Sequence, residues 1–310
     1  MVTGRTNTVG FVSANIENPF SGTTMRGITD VLRAAGYELV IANSEEDPEL
    51  ERRAVNVLLE HGIDGLLIAP AGYLDGSHLP PLLADGSPVV LLDRSVSGVH
   101  ADAVLVDNVA AARAGVERLI QLGHRRIGLV ITDLPEDRAT EWLSGVALDP
   151  THARTSAARA VGYLAALRGA DIRIEPSLIA NSAYTREAVH AATSALLARR
   201  DRPTALLAVD NQSTLAAYEA IQDSGLAFPR DISLLGFDDL EWTTIVRPRL
   251  SVIAQPAYDI GATAARRLIA RLTGDHSPPQ TLFLETSLLE RDTTAPPAGR
   301  PRAASKIGCK

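Results

Sequence analysis

Several apolar runs in this sequence end in polar residues, and those residues are where chemistry is possible. TVGFVSA places Ser13 at its end, followed by Asn15 and then Asn18-Pro19-Phe20-Ser21. PVVLL is followed by Asp93-Arg94, TALLAV by Asp210-Asn211, and ISLLGF by Asp238-Asp239. Carboxylates and side-chain amides accept hydrogen bonds from hydroxyl groups, and a guanidinium donates them in a planar fork. Such a set suits a small polar ligand. Each residue also has a plainer reading. Phe20 either stacks on a flat ligand face or packs between helix and sheet. Asp93 and Arg94 form either a ligand clamp or a structural ion pair. Asp210 and Asp238 either contact ligand or cap the next helix. Arg159, in RAVGY, is by default a solvated helical arginine.

Other chemistries lack their residues. No GxGxxG follows the first strand and no GxxxxGK[ST] occurs, so no nucleotide phosphate loop is expected. There is no HExxH, no cysteine pair and no GxSxG elbow. His61, His78, His100, His124, His152, His190 and His276 are scattered, and no acid/base pair stands out. No metal, no cofactor and no catalytic residue are therefore expected, and the chain reads as a non-enzyme.

The 310 residues are 45% hydrophobic and 22% charged, as in an ordinary globular protein of about two domains. No apolar run approaches the roughly 20 residues of a membrane helix, and no signal-peptide pattern opens the chain. The single cysteine, Cys309, lies in a polar tail, which suits a reducing compartment. A cytoplasmic protein without membrane contact is expected. A net charge of −7 disfavours direct binding to a phosphate backbone.

The elements that must position the strand-end residues alternate. Strand patterns occur at 8–14, 37–42, 63–69, 88–92, 126–131, 178–180, 204–209, 232–237 and 281–285. Helix patterns occur at 19–35, 48–61, 80–84, 108–123, 157–167, 185–198, 212–224 and 258–272. Asp47 and Asn108 read as helix caps, with Gly36, Gly62 and Gly123 closing the helices. Strand runs that are continuously apolar are covered on both faces, as in parallel sheets, and strand–helix alternation requires βαβ crossovers. The fold class is thus α/β, with two doubly wound lobes of parallel sheet. Such sheets bind ligands at the carboxyl ends of their strands, which in two lobes can face a common cleft. The segment Thr132–Ser156, with Trp142, is long and polar and reads as a surface insertion or a ligand-contacting loop.

At this spacing the strand-end motifs resemble the effector-binding domain of the LacI/GalR family of bacterial transcription regulators. The resemblance rests on TGRTNTVGFV, NPFSG, DGLLIAP, PVVLLDR, VDN with LGHRRIGLV, RAVGY, DISLLGFDD and RPRLSVIAQP, in order, from Thr3 to about Pro297. It implies a fold of the periplasmic-binding-protein-like type I class with discontinuous lobes. These would be 7–107 with 255–284, and 108–254 with 285–296, followed by a disordered tail, 297–310. It implies a homodimer that senses a small-molecule effector and acts on operator DNA only through a helix-turn-helix headpiece absent here, since only Met1-Val2 precede TGRT. By matching motifs, Phe20, Ser21, Asp93, Arg94, Arg159, Tyr184, Asp210 and Asp238 are implied to contact the effector, a sugar or related metabolite, with Ser13 and Asn15 beside them. The motif at Asp210-Asn211 departs from the family's usual Asn-Asp order, and the Thr132–Ser156 insertion is longer than usual.

The expected function is the effector-sensing and dimerisation domain of a LacI-family regulator, a repressor by resemblance. The alternative is a solute-binding protein of a sugar transporter, which would need export.

Overall fold

A computed structural model describes residues 6–72, 76–84, 86–134 and 154–298. The expectations for Trp142, for most of the Thr132–Ser156 insertion, for Cys309 and for the end of the tail fall outside these residues.

The chain divides into two units. The first holds the described residues up to Asn108, the described part of Leu148–Ala158, and Gln255–Thr286. The second begins at Val109 and includes Arg159–Ala254 and the described residues from Ser287 on.

The first unit contains strands β1 (Thr8–Ser13), β2 (Glu38–Asn43), β3 (Gly65–Ile68), β4 (Val89–Leu92), β5 (Asp102–Val106) and β11 (Thr281–Leu284). They form one sheet in the order β11-β5-β4-β3-β1-β2, parallel throughout. Its helices are α1 (Pro19–Ala34), α2 (Pro48–Glu60), α3 (Leu79–Ala84) and α9 (Ala257–Leu272). One sheet face is sealed by Ile28 and Leu32 of α1 with Ile260, Ala264 and Leu268 of α9. The other is sealed by Val55 and Leu58 of α2 with Leu79 of α3. Helices α1 and α9 cross backbone to backbone. A Cβ on Gly27 would lie 2.1 Å from the Tyr258 carbonyl oxygen, and one on Gly261 2.0 Å from that of Thr24.

The second unit contains β6 (Ile127–Thr132), β7 (Ile179–Ser182), β8 (Ala205–Ala208), β9 (Ser233–Phe237), β10 (Ser251–Ala254) and β12 (Ser287–Leu289). Their order is β12-β10-β9-β8-β6-β7, and only β12 runs antiparallel. Its helices are α4 (Asn108–Leu122), α5 (Thr155–Gly169), α6 (Arg186–Leu197), α7 (Asn211–Asp223) and α8 (Glu241–Ile245). Its core runs from Val189 and Leu196 of α6 through Leu206 of β8 to Ala217 and Ile221 of α7.

The two parallel α/β sheets agree with the sequence pattern. Strands β5, β10 and β12 and helix α8 are additions to it. Each is short, and β5 and β10 open on a polar residue, Asp102 or Ser251, that is buried only because a distant partner covers it. The expectation that every strand is covered on both faces fails for β2. This edge strand leaves Val40 and Ile41 more than two-fifths exposed.

Candidate functional site

In the second unit, two adjacent parallel strands, β8 and β9, end beside one arginine. Arg159, in the first turns of α5, is buried. Its Nη1 donates to the Val209 carbonyl oxygen at 2.6 Å, just past β8. Its guanidinium lies 3.7 Å above the Phe237 ring centre, at the end of β9. A desolvated cation over an aromatic face is worth about 2 kcal/mol. The default of a solvated arginine is thus replaced by burial between two strand ends.

Packing sets this position. Gly162, three residues on, lets α5 lie against α4, since a Cβ there would come within 2.3 Å of the Val109 carbonyl oxygen. Tyr163, also buried, donates its hydroxyl to the Ile127 carbonyl oxygen at 2.8 Å. Burial pushes its phenol far above the ordinary range, so the hydroxyl stays a donor. Residues i, i+3 and i+4 share a helix face, so the anchored Gly162-Tyr163 pair aims Arg159 at the sheet.

Asp210 directly follows Val209, and Asp238 directly follows Phe237. Asp210 caps α7, with Oδ1 accepting from the Ser213 amide at 2.7 Å. Burial pushes its carboxyl above the ordinary carboxylate range, against hydrogen bonds from Ser213 and the field of Arg159. Asp238 does not cap α8, whose cap position is Leu240. It is buried in a left-handed conformation (φ +71°), and its amide donates to the Ile253 carbonyl oxygen at 2.9 Å. Asp239 turns elsewhere, to Arg291 at 2.6 Å and the Thr243 hydroxyl at 2.9 Å. Arg159 thus touches the residue before each of Asp210 and Asp238. Tyr184, after β7, is partly exposed.

In the first unit, Ser13 ends β1 fully buried. Its carbonyl accepts from the Ser44 amide at 2.9 Å. The Asn15 side chain accepts from the Glu17 amide at 2.8 Å and so shapes its own turn. Phe20 packs, half-buried, on the core beneath α1, with Ser21 beside it. Asp93 repeats the backbone device of Asp238: φ is +66°, and its amide donates to the Val104 carbonyl oxygen at 3.0 Å. Arg94 reaches across the carboxyl ends of β3 and β1. It donates to the Pro70 carbonyl oxygen at 3.1 Å and, through both terminal nitrogens, to the Glu46 carboxylate, at 2.8 Å through Nη2. Of the two readings for Arg94, the ion pair is present.

Sequence reasoning missed Glu46, whose separation from Arg94 gives no local signal. It also missed Glu51, which is fully buried on α2. Its carboxylate accepts from the Ala71 amide at 2.5 Å and lies 3.1 Å from His78 Nε2, so it holds the segment after β3. Glutamate is rarely buried without a partner, but the sequence does not name that partner.

Among the described residues, no group of three or more His, Cys, Asp or Glu is placed to hold a metal, and no helix is long and apolar enough to cross a membrane. Hydrogen-bond donors and acceptors around one guanidinium are what the site offers.

Comparison with known proteins agrees with the two-sheet α/β fold. A family model described as a periplasmic binding protein-like domain matches residues 116–294. Catabolite control protein A of Priestia megaterium is 31% identical over 265 residues, covering 85% of this chain and 74% of that protein. The ribose operon repressor of Haemophilus influenzae is 28% identical over 288 residues, covering 93% and 81%. A LacI-family transcriptional regulator from Enterococcus faecium, solved with bound ribose, superposes with a TM-score of 0.77 at 25% identity over 93% of this chain and 99% of that one. With the family model matching more than half of its length, and a regulator 31% identical aligned over most of both chains, this chain belongs to the periplasmic-binding-protein-like domains of the LacI family of transcription regulators.

Proposed function

We propose that the chain is the effector-sensing part of a cytoplasmic LacI-family repressor and that its effector is a sugar or sugar derivative held at the carboxyl ends of the strands. The observation that carries this is the buried guanidinium of Arg159 between the ends of β8 and β9, with Asp210 and Asp238 directly after them. One planar donor with two carboxyl acceptors matches the alternating donors and acceptors of a polyol. The ribose bound to the E. faecium regulator supports the same class. Ser13, Asn15, Phe20, Ser21, Asp93 and Arg94 of the first unit, and Tyr184 of the second, are proposed as further contacts.

In this reading the chain has no catalytic role. It forms a homodimer, which the exposed apolar residues Val40 and Ile41 on edge strand β2 and Val57 on α2 favour. Operator DNA is contacted by a helix-turn-helix headpiece that is not among these 310 residues. The effector then alters DNA affinity only by its differential affinity for two arrangements of the protein.

The test is calorimetry with a sugar identified by thermal-shift screening, since a ligand bound only to the native state raises the melting temperature. Arg159→Ala and Asp238→Ala are each expected to weaken binding by about 1–3 kcal/mol, the cost of a lost charged hydrogen bond. Unchanged affinity in both variants refutes the placement.

A further inference from the structure

The first sheet has a cavity at its amino edge. It measures about 310 Å³ and opens between the start of β4, the start of β5 and the last turn of α9. Cavities of this size hold small molecules. The sheet is parallel throughout, so this edge is opposite the one that carries Asp93 and Arg94.

The polar groups of the cavity fall into two sets. The acceptors are engaged. Asp102 Oδ1 accepts from the Gln280 amide at 2.8 Å and lies 2.9 Å from Arg267 Nε, and Oδ2 accepts from Arg271 Nε at 2.6 Å. Asp275 accepts from the Ser277 amide at 2.8 Å and from Arg267 Nη1 at 2.5 Å. Burial raises the Asp102 carboxyl, but hydrogen bonds from Arg271, the Gln280 amide and Arg267 outweigh it and hold the group below its ordinary range. Hydrogen bonds from Ser277, then Arg267, hold Asp275 at about 2. Two arginines therefore balance two ionised carboxylates. The donors are in excess. Arg271 Nη1 is fixed by the carbonyl oxygens of Asp275 and Ser277. Arg271 Nη2 and the exposed rings of His100 and His276, which line the same cavity, make no hydrogen bond to a described residue. The rest of the wall includes Leu83, Pro88, Val89 and Pro279.

We propose that this cavity is a second ligand site and takes a small organic anion, whose carboxylate or phosphate meets Arg271 Nη2, His100 and His276 while its body packs on the apolar wall. The inference does not depend on the effector reading. Ionised oxygens only accept hydrogen bonds, so the surplus donors suit them, whereas a neutral hydroxyl would have to donate to acceptors already in use. Selectivity comes from this surplus of donors rather than from a net field, since the carboxylates and arginines cancel. Arg271 is already anchored through Nε and Nη1, so little side-chain freedom is lost when Nη2 binds.

The experiment titrates the chain with benzoate, phenyl phosphate and neutral benzyl alcohol, read by calorimetry and by the imidazole resonances of His100 and His276. At least one anion is expected to bind saturably, about tenfold or more tighter than benzyl alcohol, the worth of one charged hydrogen bond, with both imidazoles responding. The tighter of the two anions names the group that the site prefers. The double variant His100→Ala/His276→Ala is expected to lose about tenfold or more in anion affinity at an unchanged melting temperature, because both rings are exposed. Benzyl alcohol binding as tightly as the anions overturns the ligand class. Anion affinity unchanged in the double variant places the anion elsewhere and overturns the site. Failure of both anions to bind saturably overturns the inference as a whole.

Discussion

Both ends of the second sheet bury polar residues, and they differ in how those residues are used. At the amino ends of β8, β9 and β10, the segment 293–295 crosses the strands and is held there by several hydrogen bonds. The Thr293 carbonyl accepts from the Leu234 amide at 2.9 Å, and its hydroxyl donates to the Leu234 carbonyl oxygen at 2.8 Å. The Ser251 amide donates to the same hydroxyl at 2.9 Å. His124, buried, lies between Thr204 Oγ1 (2.8 Å) and the Ala295 carbonyl oxygen (2.9 Å). A carbonyl only accepts, so Nε2 carries the proton and Nδ1 accepts from the Thr204 hydroxyl. At the carboxyl ends, a buried arginine sits beside an aspartate that burial pushes toward the neutral form. A closed polar network adds stability. The amino end is built to hold, and the carboxyl end carries the residues proposed to contact the effector.

The sharpest way to break this contrast is through packing. Gly162→Ala places a methyl group 2.3 Å from the Val109 carbonyl oxygen. Helix α5 must then shift, carrying Arg159 with it. The expected cost is about 3 kcal/mol in denaturant unfolding, the upper part of the overpacking range, together with weakened effector binding. Unchanged stability and affinity would mean that α5 is not held at Gly162.

A smaller effect is expected at the amino end. His124→Ala deletes two hydrogen bonds, while the Thr204 hydroxyl keeps the Arg126 carbonyl and the Ala295 carbonyl keeps the Ser233 hydroxyl, for about 2 kcal/mol of lost stability. Effector affinity should be unaffected. A variant that lost affinity while keeping its melting temperature would reverse the assignment of the two ends.

The smallest effects are in pH dependence, and the two ends differ in sign. Burial lowers the pKa of His124 from its ordinary 6.5. The unfolded chain therefore takes up a proton first as pH falls, so this contribution is present above 6.5 and is lost as pH drops through the lowered folded value. Burial raises Asp210 above its ordinary 3.8. The folded state there binds its proton more tightly, so that contribution is full below 3.8 and disappears as pH rises through the raised value. Melting curves should accordingly show a loss below pH 6.5 that is absent in His124→Ala. At pH 7, Asp210→Asn should melt a degree or two higher, corresponding to less than about 1 kcal/mol. Identical pH profiles for wild type and His124→Ala would remove His124 from the account.

What the sequence determined by itself is local. Apolar runs alternating with helical periodicity specify two parallel α/β sheets, because periodicity and continuous apolarity report which faces are covered. The caps Asp47 and Asp210 were legible, because each side chain bonds an amide two or three residues ahead. The strand-end positions of Asp93, Asp210 and Asp238 follow from the same pattern. Only the tertiary structure decided what those residues do. It buried Arg159 against Val209 and Phe237, distant in sequence, and committed Arg94 to Glu46, which precedes it by 48 residues. It also made strands of β5 and β10 by covering Asp102 with Arg267 and Arg271, and Ser251 with the segment from Arg291 to Thr294. The physical reason is common to all of these. A polar side chain's burial and charge state depend on which partner reaches it, and that partner is chosen by the packing of the whole unit rather than by neighbours along the chain.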